Sequence, residues 1–164
     1  MTQFFARVRS PFCDVIIVGD ADGTIQMLHL DTGEGDRRFA IDPTWQRDDA
    51  RFSEAVRQIN AYFAGDLIQF DLPLAPQGTD FQRTVWAALQ TIPFGETRTY
   101  KQVATQIGNP AAARAVGMAN NKNPIPLLIP CHRVIGASGK LVGYAHGLAM
   151  KTALLELENT NGRS

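Results

Sequence analysis

The chain has 164 residues, 45% apolar and 20% charged, which suits one compact unit or two small ones sharing an interface and lends no support to disorder, collagen-like repeats or coiled coil. Its longest apolar stretches, Val15 to Val18 and Ile125 to Ile129, are far too short to cross a bilayer, and the N-terminus lacks the basic-then-apolar layout of a signal peptide. A zero net charge conceals an asymmetry: residues 1–78 hold 7 Lys+Arg against 12 Asp+Glu, a net of −5, whereas residues 79–164 hold 9 against 4, a net of +5. The second half therefore suits a polyanion, because a positive face concentrates phosphate-bearing ligands, although an uneven scatter of solvated charges explains the same numbers equally well. A cytosolic protein with free thiols at Cys13 and Cys131 is expected.

In chain order, Asp14 to Gly19 and Thr24 to Leu30 are strand-like, and Asp20-Ala21-Asp22-Gly23 supplies turn chemistry for a hairpin. From Phe52, the residues Val56, Ile59, Tyr62 and Phe63 recur at helical spacing, and Gly65 stands where a left-handed cap would end that helix. Leu67 to Leu74 reads as another strand, after which Pro73, Pro76 and Gly78 mark a linker and divide the chain into domains 1–77 and 78–164.

The second half opens with Thr79-Asp80, a capping pair for a helix carrying Phe81, Val85, Ala88, Leu89 and Ile92 on one face and stopped by Pro93 and Gly95. Tyr100 to Ile107 forms a second helix, and Gly108 a turn. A third helix then runs from Pro110 to about Ala119, with Asn109 as its cap. Helix, glycine-containing turn, helix is the helix-turn-helix layout. The third helix is rich in Ala and Gly and carries Arg114, so it can lie closely in a DNA groove; an Ala-rich helix inside a bundle is the competing reading. A last helix places Met150, Leu154 and Leu157 inward, with Lys151 and Glu158 among its polar residues.

The chemistry lies in the loop Pro130-Cys131-His132-Arg133-Val134. A free cysteine has a pKa of about 8.5 and is mostly protonated at neutral pH, so Cys131 needs a base to become a nucleophile. His132 can take the proton, directly or through a water, and a third group should orient its imidazole. Glu158 is the best candidate for that group and Glu156 the competitor, since Asp80 and Glu96 lie in segments expected to be remote from the last helix.

The run NPIPLLIPCHRVIGASG, with GNPAAARAVG before it and GYAHGLAMKTALLELE after it, resembles the O6-alkylguanine-DNA alkyltransferases over about Phe81 to Glu158, nearly without gaps. The first half looks like that family's more variable N-terminal domain. The resemblance implies an α+β fold: a small N-terminal antiparallel sheet with a helix, ribonuclease-H-like, followed by a mostly helical winged helix-turn-helix domain. It also implies DNA repair by stoichiometric, irreversible transfer of an alkyl group from O6-alkylguanine, with O4-alkylthymine a further substrate, after the nucleotide is flipped out of the duplex. Cys131 would accept the alkyl group, His132 relay its proton through water, and Glu158 orient the histidine, which demotes Glu156.

By the same resemblance Tyr100 protonates the leaving guanine, Asn123 braces the turn before the active loop, and Val134, Tyr144 and Ala145 line the base pocket. Arg114 fills the space left by the extruded nucleotide, while Ala112, Ala113, Ala115 and Gly117 allow close contact with the DNA backbone. Arg133 is expected in a structural ion pair. The partner would be double-stranded DNA carrying alkylated guanine, bound by a monomer without membrane or cofactor; Cys13 and His29 lack partners for a zinc site, and Cys13 reads as a buried strand thiol.

His146 stands where relatives carry a small residue or tryptophan; it can narrow the pocket, stack on a bulky substituent or point to solvent, the last being preferred. Val142 can likewise restrict bulky adducts. Three rivals remain: a lesion sensor that does not repair, which the intact Cys131 disfavours; a Cys-His hydrolase with repeated turnover; and a winged-helix regulator, which predicts operator-specific binding.

Overall fold

The structure, a computed structural model, describes residues 2–35, 39–139 and 144–161. The N-terminal half forms a four-stranded sheet in the order β3-β2-β1-β4, built from β1 (Phe4–Arg9), β2 (Asp14–Gly19), β3 (Ile25–Asp31) and β4 (Gln46–Arg47). The hairpin is where turn chemistry put it: Asp20 accepts hydrogen bonds from the amides of Asp22 and Thr24, and β2 pairs antiparallel with β3. β1 pairs antiparallel with β2, and β4 adds a short parallel edge. Sequence reading overlooked β1, although its buried Ala6 and Val8 alternate with the more exposed Arg7 and Arg9.

Helix α1 (Ser53–Phe63) buries Ala55, Ile59, Tyr62 and Phe63, and Gly65 adopts the expected left-handed conformation after it. The strand expected over Leu67 to Leu74 does not form; only Leu74 makes an isolated bridge, to Ile25. The Gln58 side chain accepts from the Asp71 amide and donates to the Asp71 carbonyl, so a glutamine of α1 occupies groups that a ladder would need, and Pro73 has no amide to donate.

The C-terminal half comprises α2 (Asp80–Leu89), β5 (Arg98–Thr99), α3 (Tyr100–Gln106), α4 (Ala113–Asn121), β6 (Val134–Ile135) and α5 (Leu148–Asn161). Thr79 and Thr99 begin α2 and α3 with full capping boxes, each completed by a glutamine three residues on. The helix α4 starts later than its sequence suggests. The Ala112 amide closes a tight turn on the Asn109 carbonyl, and the helical ladder begins only where Val116 donates to Ala112, so Pro110 sits in the turn and Ala112 at the cap. Trp86 on α2 is buried and donates its indole N–H to the Ala119 carbonyl, locking α2 to α4.

The halves share one apolar core, and polar contacts cross between them. The Leu28 amide of β3 donates to the Pro124 carbonyl at 2.8 Å, and the Thr32 hydroxyl donates to the His146 carbonyl at 2.8 Å. Gly35 (φ +84°) is required twice over, because a Cβ there would lie 2.3 Å from the Ala145 carbonyl oxygen. Among the described residues no helix is long and apolar enough to cross a membrane.

Candidate active site

The loop before Cys131 is folded by Asn123, which is buried: its side chain accepts from the Ile125 amide at 2.9 Å and donates to the Ile129 carbonyl at 2.8 Å. This double brace helps hold Leu127 at φ +76°, a conformation that costs a non-glycine residue roughly 1–2 kcal/mol. The turn it closes delivers a one-turn 3₁₀ helix, Cys131–Arg133. Three residues per turn set consecutive side chains about 120° apart, so Cys131 and His132 diverge from a common backbone and a bridging water suits them better than direct contact.

The parallel pairing of β5 with β6 sets the next neighbour. Arg98 lies opposite Val134 and Thr99 opposite Ile135, which carries Tyr100, the first residue of α3, alongside the cysteine loop. The Tyr100 hydroxyl is pushed up in pKa by burial first and by the charge of Cys131 second. It remains a proton donor at neutral pH. Tyr144 is shifted in the same direction for the same two leading reasons, more strongly because it is buried more deeply.

Glu158 on α5 organises the polar interior. Its Oε2 lies 2.6 Å from His132 Nε2 and accepts from Arg133 Nη2 at 3.0 Å, while its Oε1 accepts from Arg133 Nε at 2.8 Å. The Tyr62 hydroxyl donates to Oε2 at 2.5 Å, and the Gly95 amide reaches Oε1 at 3.5 Å. Burial alone would raise the pKa of this carboxyl; His132 and Arg133 outweigh it and hold Glu158 well below the usual carboxylate range. His132 moves down from its ordinary value, burial outweighing the attraction of Glu158. A neutral imidazole beside an ionised carboxylate must carry its proton on Nε2, which leaves the lone pair on Nδ1. Among the described residues that buried Nδ1 has no hydrogen-bond partner, so a base is held ready.

Of the expected residues, Cys131, His132, Glu158, Tyr100 and Asn123 converge at this centre. Val134 is fully buried, and its carbonyl accepts from Lys151 Nζ at 2.7 Å. Tyr144 is buried and Ala145 half-buried against Gly35. Arg114 and Ala115 stand exposed on α4, whereas Ala112, Ala113 and Gly117 are half-buried; Gly117 faces the Tyr100 ring, 3.7 Å from where a Cβ would be. Arg133 makes the structural ion pair expected of it.

Several expectations need correction. His146 does not point to solvent: it is 2% exposed, because His29 of β3 and Tyr144 pack against its ring, at 5.4 Å and 5.7 Å. The segment holding Glu96 is not remote from the last helix, since Gly95 reaches Glu158; Glu96 itself turns outward to Arg98. Cys13 precedes β2 rather than lying within it, and is only half-buried. Cys131 is 4% exposed, and a cleft of about 580 Å³ between residues 68–70 and 90–94 does not open on it. Val142 lies outside the described residues.

Two residues of the centre escaped sequence reading. Lys151 is fully buried, and its pKa is lowered by that burial against the opposing charge of Cys131. The signal was available: Lys151, Leu154 and Glu158 follow i, i+3, i+7 and so share the inward face. Tyr62 was recognised as core, but nothing local marks a partner 96 positions away. Among the described residues no group of three or more His, Cys, Asp or Glu side chains could hold a metal.

Two family models cover most of the chain: the ribonuclease-like domain of 6-O-methylguanine DNA methyltransferase matches residues 5–76, and its DNA binding domain matches residues 80–160. The chain belongs to the 6-O-methylguanine DNA methyltransferase family. Within that family, a methylated-DNA–protein-cysteine methyltransferase of Methanosarcina barkeri is 52% identical over 161 residues, spanning 98% of this chain and 100% of that protein. One of the same name from Mycobacterium tuberculosis is 62% identical over 116 residues, 71% of this chain and 70% of that protein. The crystal structure of the Mycobacterium tuberculosis O6-methylguanine methyltransferase superposes with a TM-score of 0.86 at 47% identity, covering 98% of this chain and 94% of that one. A structure of the Mycobacterium tuberculosis protein in complex with DNA superposes with a TM-score of 0.87 at 49% identity, covering 96% and 94%.

Proposed function

We propose that this protein repairs alkylated double-stranded DNA by moving the alkyl group from O6 of guanine, and from O4 of alkylthymine where it is present, onto Cys131, once per molecule. The observation that carries the reading is the buried Glu158–His132 pair, which keeps an imidazole lone pair available beside the only cysteine of the basic half. The family membership and the DNA-bound relative support the substrate.

The thiol proton passes to His132 Nδ1 through a water, and the resulting imidazolium is stabilised by Glu158. The thiolate attacks the alkyl carbon, the carbon–O6 bond breaks, and its electron pair leaves with guanine. The Tyr100 hydroxyl protonates the departing base, and the imidazolium proton returns to the tyrosinate through solvent. Both protons are then accounted for, and the product is a thioether. Water has no low-energy route to reverse it, so the protein is consumed.

Reaching Cys131 requires the damaged nucleotide to leave the stack, at a cost of a few kcal/mol that is smallest for a lesion. Arg114, exposed on α4, would hold the opened duplex, with Ala115 beside it and Ala112, Ala113 and Gly117 keeping the helix slender. Binding would be salt-dependent and indifferent to sequence. The two family-matched regions would act as domains 1–77 and 78–164, the protein working as a cytoplasmic monomer with no cofactor. Titration with a duplex containing O6-methylguanine tests the reading: repair should stop at one lesion per chain, and turnover beyond one equivalent would favour a hydrolase. Cys131→Ser should bind the lesion and repair nothing.

A further inference from the structure

The base-orienting carboxylate of the C-terminal half carries a donor from the N-terminal half. Tyr62, on α1, is 1% exposed and donates to Glu158 Oε2, the same oxygen that faces His132 Nε2. We propose that Tyr62 is a positioning residue for alkyl transfer, through which the N-terminal sheet-and-helix half sets how basic His132 is. The inference rests on the function proposed above.

Geometry fixes the hydroxyl in place. The Tyr62 ring lies 5.4 Å from Phe63, 5.2 Å from Phe70 and 5.9 Å from Phe94, the last nearly perpendicular, and the Arg133 guanidinium lies over the Phe94 ring at 5.8 Å. One aromatic cluster therefore locates both the tyrosine and the arginine that share Glu158. Packing alone would be served as well by phenylalanine; a buried phenol needs a partner, and here the partner is the carboxylate.

The consequence follows from competition for one oxygen. A donor on Oε2 takes up part of its negative charge, so Glu158 attracts the His132 proton less strongly than an undonated carboxylate would. The groups facing His132 are Glu158 and Lys151 from α5 and Arg133 from its own turn, with Tyr62 from α1 acting through Glu158. Arg133 and Lys151 disfavour the imidazolium, Glu158 favours it, and the Tyr62 hydroxyl tempers Glu158. His132 is thereby kept neutral, as a proton acceptor must be. The other donors to Glu158, Arg133 and the Gly95 amide, come from the C-terminal half, whereas Tyr62 brings one from the N-terminal half.

Tyr62→Phe removes only the hydroxyl. Two measurements test it: the His132 ring titration by NMR, and the pH profile of the single-turnover rate on lesion duplex. Both the titration midpoint and the acid limb should move up by roughly half to one pH unit, so that the rate at a given pH on that limb falls about three- to tenfold. A hydroxyl that merely fills space would move neither. If the midpoint or the acid limb stays at its wild-type position, the inference is wrong. Should the phenylalanine variant fail to fold, a fluorinated tyrosine placed site-specifically at position 62, a stronger donor, should lower the midpoint, and an unchanged midpoint there also overturns it. Because the titration is read without any reaction, a wild-type protein that formed no adduct would contradict the proposed function and leave the role of Tyr62 still decided by NMR.

Discussion

Cys13 and Cys131 are the same side chain in opposite surroundings. Cys13 lies in the acidic half, half-buried, where burial first and then the charges of Asp14 and Asp31 push its thiol up to about 11. At neutral pH roughly one molecule in ten thousand carries the thiolate there. Cys131 lies in the basic half, with His132 next in sequence and the cations Arg133 and Lys151 in the surrounding network. A cysteine becomes a nucleophile through its neighbours' charges and through a base with a free lone pair, and the two halves differ in both.

The largest expected effect comes from breaking the basic side. Glu158→Gln leaves Arg133 without its buried counter-charge and His132 facing a neutral amide in place of a carboxylate. Stability should fall by roughly 3 kcal/mol in denaturant unfolding. The single-turnover rate should fall with it, and a variant with wild-type rate would remove Glu158 from the mechanism. Arg114→Ala comes next: the rate on lesion duplex should drop while the rate on the free modified base is kept, and an equal loss on both would contradict a role in holding the opened duplex.

The two surroundings should also fail at opposite ends of the pH scale. His132 is held below its ordinary pKa of 6.5, so beneath that value the unfolded chain binds a proton that the folded one refuses, and stability should fall as pH drops. Glu158 adds to this at lower pH, since its ionised form belongs to the folded state. Cys13 acts in the other direction: between pH 9.0 and about 11 the unfolded thiol ionises first, so stability should fall as pH rises. Thermal melts across pH check both signs. Cys13→Ser should remove the part of the alkaline loss that begins near pH 9.0, leave the later part due to the buried Tyr62 and Tyr144, and leave repair unchanged, the smallest effect of the set.

Much of this was legible in the residues because it is local. The turn after β2 is written in Asp20 and Gly23, the cap of α2 in Thr79, and the reactive loop in Pro130-Cys131-His132-Arg133. What was misread depends on distant partners. Leu67 to Leu74 has a strand's composition, yet Gln58 takes the amide and carbonyl of Asp71. His146 reads as a surface residue until His29 of β3 packs against it. Pro110 suits a first helical position, but the turn closed by Asn109 comes first. Lys151 could have been assigned from its spacing to Leu154 and Glu158, whereas the bond from Tyr62 to Glu158 exists only once the two halves are packed together.

The most direct test maps the adduct. After reaction with a duplex carrying O6-methylguanine, peptide mass spectrometry should find one added methyl group on Cys131 and none on Cys13. Methyl groups on Cys13, or an unmodified Cys131 after the lesion has been repaired, would contradict the account.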